Sequence, residues 1–236
     1  MPPVQKQLQF TEKLDYIFFF ITFIWEHFLH GFFLVAILLI IFRLLFVALM
    51  AVLQHKKEKK QENQPGEFLP LVSVIVPAYN EELNAVQTVK SLLKSDYSHL
   101  EIIFVDDGSK DATYQKVSEA FSGNQKVKVL TKPNGGKAAA LNFGIQQANG
   151  EIMVCIDADT VLPENAIPLM IPFFKDENVG AVAGNVRVGN TLNMLTNWQS
   201  IEYTTSQNFD RRAFDYVNAI LVVPGAIGAF RKEALQ

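Results

Sequence analysis

Between residues 14 and 53 most positions are apolar, and no polar face recurs at helical spacing. The longest run, residues 31–53, reads GFFLVAILLIIFRLLFVALMAVL and contains one charge, Arg43. At 1.5 Å rise per residue it reaches roughly 35 Å, more than a hydrocarbon core of about 30 Å, which predicts a transmembrane helix. A signal peptide has a shorter apolar core, an earlier start and a small-residue cleavage site, none of which fits. Arg43 lies near the middle of the run, where a charge is costly in lipid, and is expected to face another helix. Upstream, residues 14–25 are apolar but few, and Glu26, His27 and His30 then interrupt the pattern. Residues 1–30 are therefore expected as an interfacial or re-entrant segment, with a tilted first span as the alternative.

After the apolar run the pattern turns polar. Lys56, Lys57, Lys59 and Lys60 follow it directly, while Lys6 and Lys13 are the basic residues on the other side. The more basic flank stays in the cytoplasm, and its lysines suit anionic lipid headgroups. Residues 54–69, with Pro65-Gly66, read as a basic, solvated cytoplasmic linker.

From residue 71 short apolar runs alternate with segments of helical spacing. Strands are expected at 71–78, 101–107, 126–130, 151–159 and 179–188, and helices at 81–95, 111–121, 136–148 and near 163–174. This alternation predicts an α/β fold, a mostly parallel sheet with helices on both faces. In such sheets ligands bind beyond the carboxyl ends of the strands.

Composition sharpens the division. More than half of the 19 Phe precede residue 50, so the 49% hydrophobic content belongs largely to the N-terminal segment. A formal net charge of −3 gives no basic field for nucleic acid. The single cysteine, Cys155, excludes a disulfide framework and a multi-cysteine zinc site, and its place in an apolar strand reads as core. The four His have no metal-ligand spacing.

Three expected strand ends are polar: Pro77-Ala78-Tyr79-Asn80-Glu81-Glu82, Asp106-Asp107-Gly108-Ser109 and Asp157-Ala158-Asp159. Each also has a structural explanation. Asn80 and Glu81 can cap a helix, and Asp-Gly-Ser is good turn chemistry. Asp157 and Asp159 can both reach one hard cation at the end of their strand. Carboxylate and phosphate oxygens together suit Mg²⁺ or Mn²⁺. Gly135-Gly136-Lys137 opens a helix and makes a phosphate site, although it is neither a Walker loop nor a GxGxxG turn.

Five ordered blocks, VSVIVPAYNEE, VDDGSKD, KPNGGKAAALN, DAD and VPGAIGAFRKEAL, resemble the family 2 glycosyltransferases. The likeness covers residue 70 to the end and is strongest to membrane synthases of the poly-N-acetylglucosamine, chitin and hyaluronan type. It implies a GT-A nucleotide-sugar domain, Rossmann-like, preceded by one or two membrane helices. By this resemblance the main chain around Pro77 and Ala78, with Asn80 and Glu81, contacts the uridine. Asp106 and Asp107 stand at the position of the uracil-binding acid, and Lys137 lies near the diphosphate. Asp157 serves the sugar or ribose side, and Asp159, with Asp157, serves the metal. Trp198 is a candidate for stacking on a sugar, an ordinary core Trp or a membrane-surface Trp; Gly225 and Ala226 would line the acetamido pocket. Gly184 to Val188 would shape the same region, while Arg211, Arg212, Arg231 and Lys232 read as solvated or headgroup-facing.

The implied reaction is inverting transfer of N-acetylglucosamine from a UDP-sugar to a polysaccharide, or a single transfer to a lipid-linked acceptor. The family's catalytic base, an Asp, is expected beyond Gln236. Residues 70–236 thus read as an incomplete domain, with the donor half of the site and no base, inactive by itself. Two other classes compete. A nucleotidyltransferase would need a GxGxR-type loop after the first strand, where PAYNEE stands; a membrane-tethered, non-catalytic nucleotide-binding remnant would need no base.

Overall fold

The computed structural model describes residues 4–62, 68–186, 189, 193–220, 222–223 and 225–235. Helix α1 (Val4–Glu62) precedes an α/β domain. The domain runs β1 (Val72–Ala78), α2 (Ala85–Leu93), β2 (Leu100–Asp106), α3 (Thr113–Ala120), β3 (Val127–Thr131), α4 (Lys137–Gln146), β4 (Ile152–Ile156) and α5 (Ala166–Met170). A 3₁₀ turn (Ile171–Lys175), β5 (Ala181–Ala183), α6 (Met194–Glu202), a π-helical segment (Tyr203–Asp210), α7 (Arg211–Tyr216), β6 (Ile227–Arg231) and a last 3₁₀ turn (Lys232–Leu235) follow.

The sheet order is β3-β2-β1-β4-β6-β5. Strands β1 to β4 pair in parallel, and β6 joins antiparallel between β4 and β5. Every residue of β1 is buried because it lies between β2 and β4 and is covered on both faces, so it reads as a continuous apolar run. On one face Val74, Val76, Phe104 and Val154 pack against Val89 and Leu92 of α2, Val117 of α3 and Ile167 of α5. On the other, Ile75, Ile103, Val105 and Met153 pack against Ala140 of α4. Gly144 is needed there, since a Cβ would stand 2.5 Å from Ile75 Cγ2 and 3.2 Å from Val105 Cγ2.

The chain fills β1, β2 and β3 in one direction, then returns to place β4 on the other side of β1. That reversal opens a crevice beyond the carboxyl ends of β1 and β4, the place where such sheets bind ligands.

Several expectations need correction. No break separates residues 1–30 from residues 31–53: α1 is continuous through Glu26, His27, His30 and Gly31. These residues lower the hydropathy but keep the helical ladder, and His27 Nδ1 lies 2.8 Å from the Phe23 carbonyl one turn back. The expected linker begins as helix as far as Glu62, and residues 63–67, with Pro65-Gly66, lie outside the described residues. The strand expected at 179–188 is confined to Ala181–Ala183 and pairs antiparallel to β6; Arg187 and Val188 lie outside the described residues. The helix near 163–174 is a five-residue α-turn followed by a 3₁₀ turn, with Pro172 at its start.

Candidate active site

The end of β1 turns sharply at Asn80, whose φ of 55° is in the left-handed region that Asn tolerates better than most residues. Its backbone N–H donates to Ser109 Oγ at 2.9 Å, and its Oδ1 accepts from the Lys110 N–H at 2.9 Å. The Glu81 N–H donates to Thr113 Oγ1 at 2.8 Å. The β1 and β2 ends are thereby tied into one ledge. Asn84, not Asn80 or Glu81, stands at the N-terminus of α2, and its side chain makes no capping bond.

Asp106 and Asp107 are each only 2% exposed. Asp106 accepts from the Ser109 N–H at 3.3 Å and from Thr131 Oγ1 at 2.9 Å, closing the turn and joining β2 to β3. Asp107 reaches across to the β3–α4 loop. It accepts from Lys132 Nζ at 2.6 Å, the Gly135 N–H at 3.0 Å and the Gly136 N–H at 2.7 Å. Burial alone would raise the Asp107 carboxyl. The hydrogen bonds from Lys132, Gly135 and Gly136, with the Lys132 charge, instead hold it below the usual carboxylate range. Both acids therefore shape the ledge and its facing loop. Lys132 has a role that the sequence pattern did not single out.

The clamped loop delivers Lys137, the first residue of α4, to the crevice. Gly136 precedes it with φ of 86°, a backbone state that glycine adopts without strain. Lys137 Nζ forms an ion pair with Asp157 Oδ1 beyond the end of β4. A Cβ added to Gly225 would lie 3.4 Å from the same Nζ, and the Asp157 N–H donates to the Ala226 carbonyl at 3.4 Å. Lys137, Asp157, Gly225 and Ala226 thus meet at one point although they span three separate stretches of sequence. Asp159 stands two residues on and is exposed. Among the described residues no group of three or more His, Cys, Asp or Glu side chains gathers to hold a metal ion. The Asp157/Asp159 pair nevertheless fits Mg²⁺ or Mn²⁺, because such ions use one or two carboxylates and complete their shell with water and phosphate oxygens.

Cys155, two residues before Asp157 and within β4, keeps its proton: burial pushes its thiol up to about 11 against the lowering influence of Lys137. Trp198 lies on α6, is 66% exposed, and belongs to a helix with no buried residue. Arg231, expected to be solvated or headgroup-facing, is half-buried and bonded to backbone carbonyls. Its guanidinium donates to the Phe174, Asp176 and Val179 carbonyls and lies over the Phe174 ring, where it closes the 3₁₀ turn. Lys232 donates to the Ala148 carbonyl at 2.9 Å, and Arg211 is partly buried.

The mostly parallel sheet, with β6 inserted antiparallel between β4 and β5, has the architecture of the GT-A glycosyltransferases. The chain matches the family "Glycosyl transferase family 2" over residues 73–236, and it belongs to that family. It is 37% identical over 179 residues to a poly-beta-1,6-N-acetyl-D-glucosamine synthase of Staphylococcus epidermidis, covering 75% of this chain and 42% of the relative. A synthase of the same name from Staphylococcus aureus (strain COL) is 33% identical over 184 residues, covering 78% and 44%. The chain thus spans less than half the length of the curated relatives it matches. A mannosyltransferase of Pyrobaculum calidifontis, solved in complex with GDP-Man and Mn²⁺, superposes with a TM-score of 0.57 at 24% identity, covering 78% of this chain and 52% of that one. That likeness establishes the shared fold.

Proposed function

We propose that this chain carries the donor half of a membrane-anchored, inverting glycosyltransferase, one that transfers N-acetylglucosamine from UDP-N-acetylglucosamine to a growing polysaccharide. The observation that carries the reading is the meeting of Lys137, Asp157 and Gly225 at the crevice between β1 and β4, with Asp159 exposed beside them. The names of the staphylococcal relatives support the sugar and the polymer.

In this reading Pro77, Ala78, Asn80 and Glu81 form the uridine side of the pocket, and Asp106 and Asp107 hold its walls. The Lys137 ammonium leaves Asp157 for the diphosphate and stabilises the charge that develops on the departing UDP. Asp157 then faces the ribose and sugar side, and Asp159, with Asp157, would hold Mg²⁺ or Mn²⁺. The bound ion supplies Lewis-acid stabilisation of the diphosphate oxygens. Gly225 and Ala226, with the smallest side chains, would line the acetamido pocket beside the Lys137 ammonium. Residues 31–53 anchor the domain in the membrane, with the lysine-rich flank and the transferase domain in the cytoplasm.

Titration of the detergent-solubilised chain with UDP, with and without Mn²⁺, tests the donor site. Mn²⁺ is expected to tighten UDP binding by about tenfold or more, equal to about 1.4 kcal/mol. Asp159→Ala should lose that gain and keep the circular-dichroism spectrum of the folded chain. Undiminished Mn²⁺-dependent binding in Asp159→Ala would remove the metal role.

A further inference from the structure

Helix α6, the π-helical segment and α7 follow one another without a break from Met194 to Tyr216. The two ends of this long helix have opposite surroundings. At its C-terminal end α7 packs on α1, where Ala51 and Gln54 are buried and Val47, Ala48, Met50 and Leu53 are partly so. Gln54 Nε2 donates to Asp215 Oδ2 across this joint. These α1 residues are the end of the apolar run and Gln54, the first residue past it. A helix docked there lies at the depth where the hydrocarbon gives way to headgroups.

At the other end α6 buries none of its nine residues. A helix of that length without tertiary packing is marginal in water. Met194, Trp198 and Ile201 stand three or four residues apart on one face, with Leu195 beside them and Glu202 closing the stripe at its C-terminal end. Leu195 is 79% exposed and Met194 74%. Lys56 and Lys57, just past the joint on α1, are exposed and add positive charge beside it.

We propose that the helix from Met194 to Tyr216 lies along the cytoplasmic interface of the bilayer, with Met194, Leu195, Trp198 and Ile201 among the headgroups and upper acyl chains. The occupant of the stripe is lipid because three of its four residues offer a sugar no hydrogen-bonding group, whereas a bilayer accepts all four. An interfacial helix of this kind sinks its apolar face about 5–10 Å into the headgroup boundary. The inference rests on the reading of α1 as a membrane span.

The chain has two tryptophans, Trp25 on α1 and Trp198 on α6, so each can be read alone. The full chain is reconstituted in phosphatidylcholine/phosphatidylglycerol vesicles as Trp25→Phe and as Trp198→Phe, with nitroxide-labelled lipids carrying the label near the headgroup or near the acyl terminus. Trp198 emission is expected to be blue-shifted, quenched more by the shallow label than by the deep one, and shielded from iodide. Iodide quenching of Trp198, or shielding from both iodide and lipid labels, overturns the inference provided Trp25 is quenched by lipid. Absence of lipid quenching at Trp25 and Trp198 alike means that the chain does not insert, which overturns the membrane span and the interfacial helix with it.

Discussion

The Asp107 carboxylate accepts three hydrogen bonds from the β3–α4 loop, and these donors outweigh the burial that would raise it. Because its folded pKa is depressed, its stabilising contribution is complete above the unfolded value of about 4 and is lost as pH falls through the folded value. Asp107→Asn keeps one acceptor oxygen and removes the charge, so it should cost about 1–3 kcal/mol at neutral pH. The gap between wild type and variant in urea unfolding should then close below pH of about 4. A gap constant from pH 7 to pH 3 would contradict the clamp. Lys137 offers a second test at this scale. Lys137→Met should weaken UDP binding by about tenfold or more, through loss of a charge-assisted contact, while leaving uridine binding unchanged. Equal losses for both ligands would place the ammonium away from the diphosphate. The acidic ends were legible in the sequence as polar residues following apolar strands, and Lys137 as part of a glycine pair opening a helix. Asp107's partners were not, because a turn signal such as Asp-Gly-Ser carries no mark of a lysine and two amides more than twenty positions later.

At the level of elements, the parallel half of the sheet was legible because β1, β2 and β4 are buried on both faces and read as unbroken apolar runs. β6 was not. Ile227–Arg231 is short, contains Gly228, and takes its place by pairing with β4 across a long intervening stretch, which local periodicity does not report. The continuity of α1 was missed for a related reason: Glu26, His27 and His30 break a hydropathy pattern but are compatible with a helix. Packing between elements gives a sharper prediction. Gly144→Ala would press a methyl onto Ile75 and Val105, separating α4 from β1 and β2. Overpacking of this kind costs about 1–3 kcal/mol, and it should appear as a lowered thermal midpoint. Gly123→Ala, with nothing within 4 Å of the added methyl, tests backbone strain alone at a φ of +79°. A Gly144→Ala loss no larger than that of Gly123→Ala would argue against close packing at α4.

Across the whole molecule, the joint between α1 and α7 is where the N-terminal helix meets the transferase domain. Burial raises the Asp215 carboxyl, while Lys57 and the hydrogen bond from Gln54 lower it. The folded pKa is therefore above the unfolded one, and the charged form weakens the joint at neutral pH; the penalty is relieved as pH falls through the folded value. Asp215→Asn should slow hydrogen exchange of residues 211–216 at pH 7, as mass spectrometry would read. Faster exchange would mean that attraction to Lys57 dominates the joint. The antiparallel placement of β6 has a further consequence, in time rather than in space. During synthesis α1 and β1 to β4 leave the ribosome first, and the outer edge of β4, the strand that leads to Asp157 and Asp159, must wait for Ile227–Arg231. Roughly seventy residues separate the two, several seconds at ordinary elongation rates. For that interval an apolar strand has a bare edge, a template for mispairing with a neighbouring chain. The nascent polypeptide is thus most vulnerable to aggregation after its first strands have emerged and before the strand that seals them exists.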